Sequence, residues 1–213
     1  MRILAAILIL FSCTVLFSQE DEEDFVRHCT DSCTMSAGPI SILNGEFEAS
    51  SCLADKKDPG KYCPEKAFDN DLSTSWVEGK EGQGLNEKLA FHIKKNINSI
   101  SILPGFGNAK YFKMNNRVKK AVLSIYKINM ASPSELDIIG YNIEKLIKTI
   151  TLDFKDEMKM QSFDIGIGEV GKFIEPWKGG NTVECGYVGV IEIIEVYPGI
   201  KWNDTCIAEI VIK

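Results

Sequence analysis

The sequence predicts an all-β domain, a sandwich or barrel of many short strands. Three observations predict it. From about Glu46 onward, apolar and polar residues alternate in short segments. Gly, Pro and Asn interrupt these segments at intervals typical of turns. No convincing amphipathic helix longer than about two turns occurs, and residues 135–146 are the one stretch left open to a helix.

The strands follow in order. Residues 89–93 form a short one. Residues 97–103 alternate apolar and polar, then stop at Pro104-Gly105. Residues 118–128 form a longer strand. Residues 147–154 and 160–165 alternate again, and residues 188–196 and 207–212 complete the set. Gly/Pro/Asn turns between strands of this length point to a sandwich or barrel. No internal repeat occurs, and no low-complexity tract beyond an acidic run at residues 20–24.

The first residues read as a leader. Arg2 precedes a short apolar run, small residues occur at Ser12 and Ser18, and acidic residues follow. This is the pattern of a secretory signal peptide over residues 1–18, too short to span a bilayer. The alternative is lipid anchoring through Cys13, opposed by the apolar residues Val15-Leu16-Phe17 that follow it. Residues 19–45 read as an acidic, cysteine-containing tail, and residues 46–213 as the domain. The net charge is −6, or −7 once Arg2 leaves with the leader. That balance argues against nucleic acid as a partner. No other segment is apolar enough to be a transmembrane helix, and the chain is expected to be extracellular.

Beyond Cys13 there are six cysteines: Cys29, Cys33, Cys52, Cys63, Cys185 and Cys206. An even number behind a leader implies disulfides, with the connectivity open. The expected pairs are Cys52–Cys63 around Pro59-Gly60, Cys185–Cys206 between the last two strands, and Cys29–Cys33 in the tail. A zinc site at His28, Cys29 and Cys33 is the alternative for the last pair.

Two segments carry the chemistry. Residues 66–76 are rich in oxygen donors and end at Trp76. Cys206-Ile207-Ala208-Glu209-Ile210 sets one carboxylate in an otherwise apolar strand. A lone carboxylate there is costly unless paired. Ca²⁺, which takes six to eight oxygens, would pair it if held between the two segments. The alternative is that Asp69 and Thr74 only hydrogen-bond their turn, while Glu209 meets Lys or Arg.

The string Ala67-Phe68-Asp69 … Ser73-Thr74 … Trp76 resembles the opening motif of discoidin-type domains. These include the coagulation-factor C-type and family 32 carbohydrate-binding modules. Supporting residues are Tyr62-x-Pro64-Glu65, Trp76-Val77-Glu78-Gly79, Pro104-Gly105-Phe106, Asn115-Asn116-Arg117 and Tyr197-Pro198-Gly199-x-Lys201-Trp202. The nearest likeness is to the NADase-type glycan-binding variant, from about residue 47 to 212 and weakest over 129–185. The resemblance implies an antiparallel jelly roll of about eight strands, and a structural Ca²⁺. Its ligands would be the Lys66 and Asp71 carbonyls, the Asp69 carboxylate, Thr74 through carbonyl and hydroxyl, the Ala208 carbonyl and the Glu209 carboxylate. Asn70 stands where the family usually has glycine, and asparagine also tolerates positive φ.

The expected function is non-catalytic carbohydrate binding, in adhesion or recognition. Ligand candidates are Phe106, Tyr111, Asn115 and Arg117 in one loop, and Trp177 and Lys178 in another, because sugars stack C–H faces on aromatic rings. The alternatives are a protein- or lipid-binding adhesin of the same fold, with a protein receptor as partner, or an accessory module of a secreted enzyme. Gly166-x-Gly168-x-x-Gly171 matches a dinucleotide fingerprint literally. However, Pro176 breaks any helix soon after it. Only His28 and His92 could supply an imidazole, and Glu192 and Glu195 alternate with apolar residues as a solvated strand face does.

Overall fold

A computed structural model describes residues 47–93, 97–133, 139–167 and 184–213. It is a two-sheet sandwich with ten strands among the described residues, antiparallel except where β9 runs parallel to β5. The larger sheet holds β1 (Phe47–Ala49), β2 (Trp76–Val77), β3 (Lys88–Ile93), β5 (Asn116–Pro133), β6 (Ile139–Asp153), β8 (Glu184–Tyr197) and β9 (Thr205–Ile207). Its order runs β1-β3-β8-β5-β9-β2, and β6 pairs with the far half of β5 beyond the short contact with β9. The smaller sheet is β10 (Glu209–Ile212), β4 (Ile97–Leu103) and β7 (Gln161–Ile167), with β4 central.

The core lies between the sheets. Trp76, Leu89, Phe91, Ile100, Ile102, Leu123, Ile125, Leu152 and Ile165 are all buried in it. In β5 the inward set Ala121, Leu123 and Ile125 follows the two-residue period of a strand. In β3 every residue from Leu89 to Ile93 is buried, so that strand is covered on both faces. Among the described residues, no helix is long and apolar enough to cross a membrane.

Three sequence expectations change. Residues 139–146, left open to a helix, lie in strand β6 paired to β5. Cross-strand pairing overrides a weak local preference there. The single strand expected over residues 207–212 is two, because the chain leaves the larger sheet after Ile207 and joins the smaller one at Glu209. Ala208 at the crossing donates its N–H to Leu103 O at 3.1 Å.

The third concerns disulfides. Cys206 is a buried free thiol, so the expected bond to Cys185 is not formed. Cys206 pairs with Arg117 on β5, while Glu184, beside Cys185, pairs with Asn129 twelve residues further along that strand. At about 3.3 Å per residue the two positions are roughly 40 Å apart, far beyond disulfide reach. Cys52 is also free. Its Sγ lies 3.5 Å from that of Cys63, which is itself disulfide-bonded, so the turn brings these two together without joining them. Burial pushes the Cys52 thiol up to about 12, and that of Cys206 well above its usual value. Cys29 and Cys33 lie outside the described residues, as do the predicted leader and the whole of the tail.

Candidate metal centre and aromatic surface

The oxygen-rich loop is built by local rules. Pro64 opens a short 3₁₀ turn, Pro64–Ala67, whose end is anchored by fully buried Ala67. Asp69 Oδ1 then accepts the Asp71 N–H at 3.0 Å, and Asp71 Oδ1 accepts the Ser73 N–H at 2.9 Å and hydroxyl at 2.7 Å. Two successive aspartate turns therefore curl the loop. Asn70 has φ 60°, the left-handed conformation its side chain tolerates.

The curl converges on Thr74. Its Oγ1 lies 2.9 Å from both Asp69 carboxylate oxygens, 2.9 Å from Asp71 O and 3.2 Å from Lys66 O. A hydroxyl has one proton to donate. Four acceptors at that range cannot share it, so several oxygens face each other with no hydrogen between them. The Thr74 carbonyl accepts the Ser75 hydroxyl at 2.6 Å.

The last strands bring Glu209 to this loop. β9 pairs with β2 so that Ile207 opposes Trp76, two residues from Thr74, and Glu209 follows two residues after Ile207, where the charges of Asp69 and Asp71 act on its carboxyl. Gly107 packs against both segments: a Cβ there would fall 1.6 Å from Leu72 O and 3.1 Å from the Ala208 side chain. Glu209 is 2% exposed, and neither carboxylate oxygen has a hydrogen-bond partner among the described residues. It also makes no ion pair there, so no Lys or Arg among the described residues is the partner that the alternative expects. Burial, then the negative charges of Asp69 and Asp71, push its carboxyl up to about 7. Backbone N–H groups of Asn70 and Ile210 face it and offset this in part, without hydrogen-bonding geometry.

These residues fit a hard cation. An orphaned buried carboxylate is among the costlier defects a fold can carry. Two carboxylates, a hydroxyl and inward carbonyls form an all-oxygen donor set suited to Ca²⁺. Among the described residues no group of three or more His, Cys, Asp or Glu side chains is placed to hold a metal ion, so a cation here would take most of its oxygens from backbone carbonyls and the Thr74 hydroxyl.

A second surface is aromatic. Tyr62, Phe106, Tyr111 and Trp202 form a row with centroid steps of 6.5, 5.7 and 6.1 Å, each pair edge-on or tilted. All four are partly exposed. The row is held from below. Asn108 accepts the Lys110 N–H at 2.9 Å and so caps helix α1, Ala109–Phe112. The N–H groups of Ile200, Lys201 and Trp202 bond the Lys113 and Met114 carbonyls. Asn116 accepts the Gly199 N–H at 2.6 Å and donates to Asn203 O.

Arg117 and Asn115, expected as ligands, belong to this support. Arg117 is 5% exposed; Nε and Nη2 bind Asp156 at 3.0 and 2.9 Å, and Nη1 donates to the Asn115 and Pro198 carbonyls. The paired charges hold the Asp156 carboxyl below its usual value. Asn115 is buried and donates to Tyr111 O. Phe106 and Tyr111 are in the row, whereas Trp177 and Lys178 lie outside the described residues. Sequence reasoning missed Tyr62 and Trp202 as surface groups. The alternation Lys61-Tyr62, Lys110-Tyr111 and Lys201-Trp202 was the available signal.

Glu78 is a further buried acid, absent from the sequence expectations. Its oxygens accept the Thr205 and Lys80 N–H groups at 3.1 and 2.8 Å, tying β2 to β9, and burial pushes its carboxyl up to about 7. His92 is buried in β3 opposite Val188. Glu195 is ion-paired with Lys119 at 2.7 Å and Lys120 at 3.5 Å.

The model of the NAD glycohydrolase translocation F5/8 type C domain matches residues 41–213. The chain belongs to that family. Membership agrees with the discoidin-type resemblance and with the all-β sandwich. No curated protein matches the chain. Among solved structures, a family 32 carbohydrate-binding module of C. perfringens NanJ, in complex with galactose, is 16% identical. It aligns with 80% of this chain and 92% of its own, at TM-score 0.43. Chitosan-binding module 1 of a Paenibacillus sp. IK-5 chitosanase/glucanase is 11% identical over 80% of this chain and 96% of its own, at TM-score 0.46. The arabinofuranosyltransferase AftD from Mycobacteria is 14% identical over 81% of this chain, at TM-score 0.44, and the match spans 11% of that much longer protein.

Proposed function

We propose that this chain is a secreted, non-catalytic glycan-binding domain in which a structural Ca²⁺ joins the loop at residues 66–74 to Glu209. The aromatic row carries the glycan reading. Four partly exposed rings from three separate loops stand in line on a braced platform. Rings so placed can stack on the C–H faces of sugars, while nearby amides and ammonium groups reach hydroxyls. The family's F5/8 type C character agrees with a binding role.

The calcium would be held by Asp69, Thr74 and Glu209, with the Lys66, Asp71 and Ala208 carbonyls. When bound it neutralises Glu209 and cross-links two distant parts of the chain. Its role is structural, since the aromatic row is composed of other residues.

A glycan array with the full chain, in calcium and in chelator, tests the reading. Trp202→Ala and Tyr111→Ala serve as comparison variants. Binding lost in both variants, with melting temperatures unchanged, is the expected result. Binding to no glycan in either condition would overturn it.

One observation favours a second reading, a lipid- or protein-binding adhesin. Ile200, next in chain to Lys201 and Trp202, is 75% exposed, and Leu72 is 50% exposed. Apolar side chains at the margin of an aromatic surface are typical of contact sites.

A further inference from the structure

We infer that the aromatic row selects anionic carbohydrate, a chain bearing carboxylate or sulfate groups, over neutral sugar. This rests on the glycan reading above and specifies its ligand. Each of the three loops sets a lysine beside its ring. Lys61 Nζ lies 4.8 Å from the Tyr62 centroid, Lys110 Nζ 5.3 Å from Tyr111 and Lys201 Nζ 4.2 Å from Trp202. These distances are within cation–π range, so the rings hold the ammonium groups in place.

Three cations therefore line one row on a chain whose net charge is −6. Lys61 has an acidic partner, Asp55 at 2.9 Å. Among the described residues Lys110 and Lys201 have none, and both are exposed. A lysine offers donors only. Asp55 pairs only with Lys61, which leaves Lys110 and Lys201 without an acidic partner among the described residues. The row thus presents two uncommitted positive donors beside its rings, which complement carboxylate or sulfate groups.

The test is direct binding of the full chain to polygalacturonic acid, to its neutral methyl ester, to chondroitin sulfate and to vesicles containing phosphatidylserine, each at low and high salt. The acid and ester share a backbone and differ in charge. The proposal expects the acid, the sulfated chain, or both to bind at least about tenfold more tightly than the ester, with the preference weakening in high salt. The double variant Lys110→Gln/Lys201→Gln should lose roughly tenfold of that affinity, since each exposed ion pair contributes a fewfold effect, while its melting temperature stays unchanged. Preference for the acid alone identifies a uronate, and preference for the sulfated chain identifies a sulfated ligand. Equal binding to acid and ester, insensitive to the lysines, would overturn the proposal and leave the glycan reading standing. Binding to none of the carbohydrates, whether or not vesicles bind, would overturn both.

Discussion

Glu209→Gln should change sign with calcium. In metal-free protein the wild-type carboxyl is pushed up to about 7 from an ordinary 4.5. At about pH 8 the folded state then holds a charge it disfavours, at a cost of roughly 3 kcal/mol. That figure is an upper bound, because water entry and loop relaxation recover part of it. Glutamine keeps the shape and removes the charge, so in chelator the variant should be more stable than wild type, by up to roughly 3 kcal/mol. For a chain of this size that is about 6–12 °C in melting temperature. In calcium at about a thousand times its Kd, the wild type gains around 4.1 kcal/mol from binding, more than that cost, and the variant loses most of that gain. Thermal melting of both proteins, in calcium and in chelator, reads the crossing. If chelator leaves wild type unmoved, or if the variant is the less stable protein in both conditions, the reasoning fails.

Other outcomes follow from the same contacts. Gly107→Ala should lower the melting temperature and blunt its calcium response, since the added Cβ meets Leu72 O and Ala208 at a backbone-to-backbone contact. Arg117→Met should destabilise by about 1–3 kcal/mol in denaturant titration, because the Asn115 and Pro198 carbonyls lose their donor, while the partly exposed Asp156 loses its bidentate partner but keeps Lys113 at 2.6 Å. Its glycan binding should persist where it remains folded. Metal-free protein should lose stability as pH rises from about 4.5 through about 7. Glu78 and Glu209 both have raised carboxyls, so the folded state binds the extra protons over that window, and their stabilising effect is complete only below it. Calcium should remove the Glu209 share of this slope, as calorimetry across pH would show.

The strands were legible because period-two patterning survives wherever one face is buried, as at residues 97–103 and 118–128. The curl of the loop at residues 66–76 was legible because it is local: Asp69 accepts from Asp71, and Asp71 from Ser73, each two residues on. The sheet crossing at Ala208 was not legible, since residues 207–212 are apolar on both sides of the break and only the partners differ. The expected Cys185–Cys206 bond fails for that same reason. Nearness of Cys185 and Cys206 along the chain gives no distance in a sheet where β8 spans the length of β5. Arg117 stood in a loop-like motif with Asn115, yet it is buried because Asp156, 39 residues away, neutralises it.

Crystals grown in calcium, with an anomalous difference map, test the central claim most directly. The account predicts one strong peak bound at about 2.3–2.6 Å by oxygens of Asp69, Thr74 and Glu209. A map without a peak there, with Glu209 bonded to water or to a protein donor, would contradict it.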